Sequence, residues 1–106
     1  MCQYKTISNN SFGCLIQCEN CEQFHLGFGN VVLILSHDEF IRFTDQVQHI
    51  HSMHYEEKME SNEKIYMHTD NSKMVLAFTH KEWLKLYQLL DESRFMLYAS
   101  ELIEQA

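Results

Sequence analysis

Proline is absent from this 106-residue chain and glycine occurs only three times, so most turns rest on Asn, Asp and Ser. Lys and Arg number 8 against 15 Asp and Glu, a net charge of -7. That balance argues against a nucleic-acid partner, which needs clustered cations to displace counterions. No stretch approaches the roughly 18–20 apolar residues of a membrane span, and Met1 to Lys5 lacks the apolar core of an export signal, so the expected compartment is the cytoplasm. The sequence also has no nucleophile elbow, no Gly-rich phosphate loop and no H-E-x-x-H helix, which removes the common hydrolase and nucleotide-binding devices.

What is present is the composition of an ordered globular protein. A hydrophobic fraction of 45% over 106 residues suffices for one domain spanning 1–106 without a metal or disulfide staple. The four cysteines, Cys2, Cys14, Cys18 and Cys21, all crowd towards one end. A disulfide framework would tie distant segments together, so reduced thiols are the better reading.

Residues 1–12 are polar and aperiodic, and Tyr4, Thr6 and Ile7 offer at most an edge strand. Gly13 to Cys18 reads as a strand and Glu19-Asn20 as a two-residue hairpin loop. The return strand is Glu22 to Phe28, with Phe24, Leu26 and Phe28 on one face. Gly29-Asn30 turns the chain into Val31 to Leu35, whose unbroken apolar character predicts a central strand.

Ser36 and Glu39 then form a capping box, S-x-x-E, that starts a helix at His37 and carries it to about Tyr55. The charged run from Glu56 to Glu63 reads as a loop or frayed helix end, and Lys64 to Thr69 and Met74 to Phe78 as a second hairpin. Thr79 and Glu82 repeat the capping box. Beyond Leu90 the tract D-E-S-R interrupts the apolar stripe, so either one helix continues with a bend near Ser93 or a third helix follows.

These segments are two copies of one pattern. Val32 to Val47 recurs as Val75 to Leu90, matching Ser36 with Thr79, His37 with His80, Glu39 with Glu82 and Phe40 with Trp83. At the same offset His25 falls on His68 and Phe24 on Met67. The expected fold is therefore α+β, a duplicated ββα unit (ββαββα) forming a mainly antiparallel sheet with the helices packed on one face. The first repeat covers about 13–55, the second about 64–92, and a helical extension about 93–106.

Chemistry concentrates in Cys14-x3-Cys18-x2-Cys21-x3-His25, a set of zinc-ligand types at short spacing. In a regular hairpin, however, Cys14 and Cys18 stand about 13 Å apart, too far to share one tetrahedral ion. A zinc site would need a distorted knuckle or ligands from elsewhere, and the competing reading is of buried thiols acting as small hydrophobes. His51 and His54 stand one helical turn apart and could share a metal, though His near a helix end also complements the helix dipole. Cys14 and His25 could face each other across the hairpin as a nucleophile and base, with no orienting third group visible.

The stretch from Cys18 to Phe40, C-x2-C-x2-F-H-L-x-F-G-N-V-V-L-x-L-S-x-x-E-F, resembles a family of uncharacterised small Bacteroidota proteins. The resemblance implies a small stand-alone protein with no assigned activity. It marks Cys18, Cys21, Phe28, Gly29 and Asn30 as distinctive positions.

Taken together, the residues point to a non-enzymatic interaction module without a cofactor, a homo-oligomer or a binder of another protein. Phe28, Gly29 and Asn30, and the helical Phe95, Tyr98 and Leu102, are the candidate contact residues. The alternative is a zinc-binding protein using Cys18 and Cys21 with His25 or the helix histidines, Cys14 being the further candidate ligand in the hairpin.

Overall fold

A computed structural model describes residues 3–58 and 64–105, with backbone alone for 54–58 and 100–105. Its elements are β1 (Tyr4–Asn9), β2 (Gly13–Cys18), β3 (Phe24–Phe28), β4 (Val31–Leu35), α1 (His37–Lys58), β5 (Ile65–His68), β6 (Val75–Phe78) and α2 (His80–Gln105). The architecture is α+β: β1-β2-β3-β4 make one antiparallel sheet and β5-β6 a second, two-stranded one. The ββα order recurs as β3-β4-α1 and β5-β6-α2. The stretch from Met59 to Glu63, at the end of the expected inter-repeat loop, lies outside the described residues.

In the β2–β3 hairpin, Leu15 lies opposite Leu26, and with Phe24 and Phe28 they form the inner face of the sheet. The turn differs from the predicted Glu19-Asn20 loop. Cys18 N–H donates to Gln23 O at 2.8 Å, Glu22 N–H donates to Cys18 O at 3.0 Å, and the loop is Glu19 to Glu22, with Glu22 at φ 59°. Shifting a hairpin by two residues leaves every side chain on its own face, so the apolar alternation alone cannot choose between these registers. At the other end of the pairing Gly13 is sterically required, because a Cβ there would collide with the carbonyl oxygen of Gly27.

The Gly29-Asn30 turn forms as expected, with Gly29 at φ +56°, the sign pattern of a hairpin that places Gly first in the turn. Val31 to Leu35 is nevertheless an edge strand and not a central one. Its inward residues Val31, Leu33 and Leu35 are partly buried, while Val32 and Ile34 are 63% and 59% exposed. The β5–β6 hairpin flanks β4 without joining its sheet, leaving two clefts of about 200 and 280 Å³ between them.

The polar N-terminal segment is a full strand. In β1 the register shifts between Thr6 and Ser8, a bulge that turns both Ile7 and Ser8 inward. Ser8 Oγ reaches Leu89 O at 3.1 Å and touches the hydroxyl of Ser93, which itself donates to Leu89 O at 2.7 Å. Asn10 accepts from the N–H groups of Phe12 and Gly13 at 2.9 and 3.0 Å and donates to Lys85 O at 2.9 Å. Polar side chains thus fasten this strand to α2.

Both capping boxes form. Glu39 Oε1 accepts from Ser36 N–H at 2.8 Å and Glu82 Oε1 from Thr79 N–H at 2.8 Å, while the two hydroxyls accept from Glu39 and Glu82 N–H at 3.2 and 3.1 Å. The backbone and side-chain hydrogen bonds of Ser36, aided by Arg42, hold the Glu39 carboxyl below the usual carboxylate range.

With the caps as anchors, Phe24 pairs with Leu35 as Ile65 pairs with Phe78. The structural counterpart of His25 is therefore Tyr66, and the expected match with His68 fails. The second hairpin has a longer loop, Thr69 to Met74, in which Thr69 Oγ1 lies 3.0 Å from the carbonyls of both Asn71 and Met74. Extra loop residues displace the first strand of the hairpin relative to the cap and leave the second strand in place.

The core lies between the sheet and the helices. Phe24 stacks on Phe40 at 4.4 Å, and Phe28 meets Phe78 at 5.6 Å, which meets Trp83 at 5.7 Å. Trp83, Leu86 and Leu89 are fully buried, so truncating Trp83 to Ala removes on the order of 3–5 kcal/mol. Of the two alternatives beyond Leu90 the continuous helix holds: α2 is one helix through Gln105, and the predicted extension is its last turns. A polar residue appears mid-stripe because Ser93 is fully buried against Ser8.

Ser8→Ala and Ser93→Ala should each cost about 1 kcal/mol in urea denaturation, and the double variant clearly less than their sum. Strict additivity would show that the two hydroxyls do not act as a unit.

Candidate functional site

The strand registers place the proposed zinc ligands. Cys14 lies opposite Gly27, and His25 lies opposite Ile16. The register that would have set Cys14 against His25 is overturned by the longer loop. Cys18 is fully buried, paired with Tyr4, whereas Cys21 is exposed in the loop with its thiol 4.0 Å from Gln23 Oε1. The His25 ring packs edge-on against Tyr4 at 5.3 Å. Among the described residues no three His, Cys, Asp or Glu side chains are grouped to hold a metal ion.

The second candidate pair divides similarly. The side chain of His54 lies outside the description. His51 links the helices: Trp83 Nε1–H donates to its Nδ1 at 3.2 Å, and its ring stacks on Tyr87 at 3.8 Å with a 12° interplanar angle. An acceptor Nδ1 requires the neutral ring, and burial holds the His51 pKa below the ordinary histidine value.

Of the predicted contact residues, Phe28 belongs to the core, only 8% exposed and stacked on Phe12 at 5.4 Å. Gly29 and Asn30 make the β3–β4 turn. Phe95 and Tyr98 are 69% and 61% exposed and line a groove of about 680 Å³ between α1 and α2, together with Ile41. Its walls also carry His37, Asp45, Asp91 and Arg94, so water solvates it well. Leu102 lies on α2, where only the backbone is described.

Residue types in the sequence did not single out the outer face of the four-stranded sheet. Strand register sets Thr6, Ile16, His25 and Ile34 side by side in one row, and Asn9, Cys14, Gly27 and Val32 in the next. Beyond these rows Tyr4 pairs with Cys18, which is fully buried and adds no outer surface. No Asp, Glu, Lys or Arg stands at any of these positions, in a chain where such residues make up 22%.

The family described as "Family of unknown function (DUF6686)" matches residues 1–104. The chain belongs to DUF6686. No curated protein and no solved structure matches it. Among the described residues no helix is long and apolar enough to cross a membrane.

The lowered pKa of His51 fixes the sign of a pH effect. The unfolded chain takes up this proton more readily than the folded one, so stability is complete above about pH 6.5 and falls as the pH drops below it. The difference in urea midpoint between the wild type and His51→Phe should therefore shrink from about pH 7.5 to 5.5. Emission of Trp83, the single tryptophan, should titrate over the same range. A midpoint difference constant with pH would refute the assignment.

Proposed function

We propose that the chain is a non-enzymatic interaction module that self-associates through the outer face of its four-stranded sheet. The observation that carries this reading is the absence of charge on that face, where Val32 and Ile34 are 63% and 59% exposed. Charged residues are what natural sheets use to keep exposed strands apart. Four strands about 4.8 Å apart and five residues long, at about 3.3 Å each, present roughly 300 Å² in projection, of which Val32 and Ile34 are the most exposed aliphatic part. Tyr66 and Val75, 59% and 44% exposed on the neighbouring β5–β6 hairpin, are further exposed apolar side chains on which a complex of the usual roughly 800 Å² per partner would draw.

A second copy suits this surface better than a nucleic acid or a lipid headgroup. Each chain carries a net charge of -7, so copies repel at long range and can approach closely only where charge is missing. On the same reading the protein works in the cytoplasm with its thiols reduced and without a bound cofactor, and Cys14 and Cys18 serve as small apolar side chains of β2.

Sedimentation equilibrium at tens of micromolar should give twice the monomer mass. Ile34→Lys should give the monomer mass with an unchanged circular dichroism spectrum, because each interface would then bury two unpaired ammonium groups. A wild-type chain that stays monomeric at that concentration would end this reading.

A further inference from the structure

We propose that the second copy seats its Val32 in a notch over Gly27, and receives the same contact in return, so that Gly27 sets the geometry of the self-association read above. The proposal rests on that reading and specifies its contact. Each of the other two glycines is explained within the chain: Gly29 has a positive φ, and Gly13 lies against a carbonyl oxygen. Gly27 has neither reason. Its φ lies outside the left-handed region, and among the described residues an added Cβ would meet only Val32 Cγ2 at 3.8 Å and Val31 O at 3.9 Å, ordinary contact distances.

A glycine inside a strand sacrifices backbone entropy and side-chain packing, so it weakens β3 where a β-branched residue would strengthen it. When nothing within the chain demands it, close approach from outside is the remaining physical reason. The missing side chain opens the notch between Cys14 and Val32, its neighbours across the strands, on a face without charge.

Register then selects the knob. Val32 is directly opposite Gly27, and at 63% it is the most exposed aliphatic side chain on the face. A twofold axis running along the strands between β3 and β4 exchanges these two positions, which lays Val32 of each copy over Gly27 of the other. The same axis lays Ile34 over His25. The strands of the two sheets then run nearly aligned, a geometry that twisted sheets adopt when they pack face to face about 10 Å apart. The contact is isologous, so it closes at two copies and leaves no open end. Both helical layers stay on the outside.

Sedimentation of the full chain and of three variants tests this. Gly27→Val should raise the dissociation constant at least tenfold while the monomer keeps its fold and its thermal stability, since the strand gains a β-branched residue. Val32→Gly should weaken association by a similar factor, through loss of the knob. The double variant Gly27→Val with Val32→Gly exchanges knob and notch within the same twofold contact and should recover most of the association. Gly27→Ala, for which the structure has room, serves if the valine disturbs the strand, and should weaken association to a smaller degree. A wild-type dimer whose dissociation constant is unmoved by all these changes overturns the notch and leaves self-association standing. A monomeric wild type overturns both.

Discussion

Two helices can cover only one face of a four-stranded sheet, and in this chain both are committed to the same face. α1 and α2 follow their hairpins through the two capping boxes and bring Phe40 and Trp83 down onto Phe24 and Phe78. The aromatic layer so formed joins both hairpins to both helices in one core. It also leaves the other side of the sheet without a layer of its own. Exposure of Val32 and Ile34 follows from this one-sided cover, because alternation along β4 must send every second residue outward. The proposed self-association would answer that constraint where exposure is greatest, by laying β3 and β4 of a second copy over β4 and β3 of the first.

The polar residues act mainly as fasteners. Ser8, Ser93 and the carbonyl of Leu89 form a small closed group beneath β1, with two hydroxyl protons for three contacts. Asn10 organises its own turn and grips the backbone of α2 through Lys85. His51 connects α1 to α2 by a hydrogen bond and a ring stack. The common effect of these groups is to set the angle and depth at which long helices rest on a small sheet.

Much of the framework was legible in the residue pattern. Both helix starts follow from S-x-x-E and T-x-x-E, since capping is a local exchange between hydroxyl, carboxylate and backbone. The β3–β4 turn follows from Gly29-Asn30, and the inward face of β3 from Phe24, Leu26 and Phe28. The cysteine hairpin was misjudged because a two-residue register shift preserves every face, and the positive φ of Glu22 is not one that its residue type announces. The placement of β4 was misjudged because V-V-L-I-L is apolar on both faces whether its outer neighbour is a strand of the same chain or another molecule. Ser93 read as an interruption of the helix, and its partner, Ser8, lies at the far end of the chain.

The sequence alone determined the local units: strand, turn, cap and helix, twice over, because each depends on residues within a few positions of one another. It also determined the charge that disfavours nucleic acid. Only the tertiary structure decided which residues share a surface. Cys14 faces Gly27 and not His25, Phe28 belongs to the core and not to a contact patch, and the uncharged outer rows are assembled from four strands in which Lys5, paired with Gln17 in another row, is the one charged residue. The physical reason is that register and edge position arise from pairings between distant segments, and such pairings leave no mark on the local periodicity of any one of them.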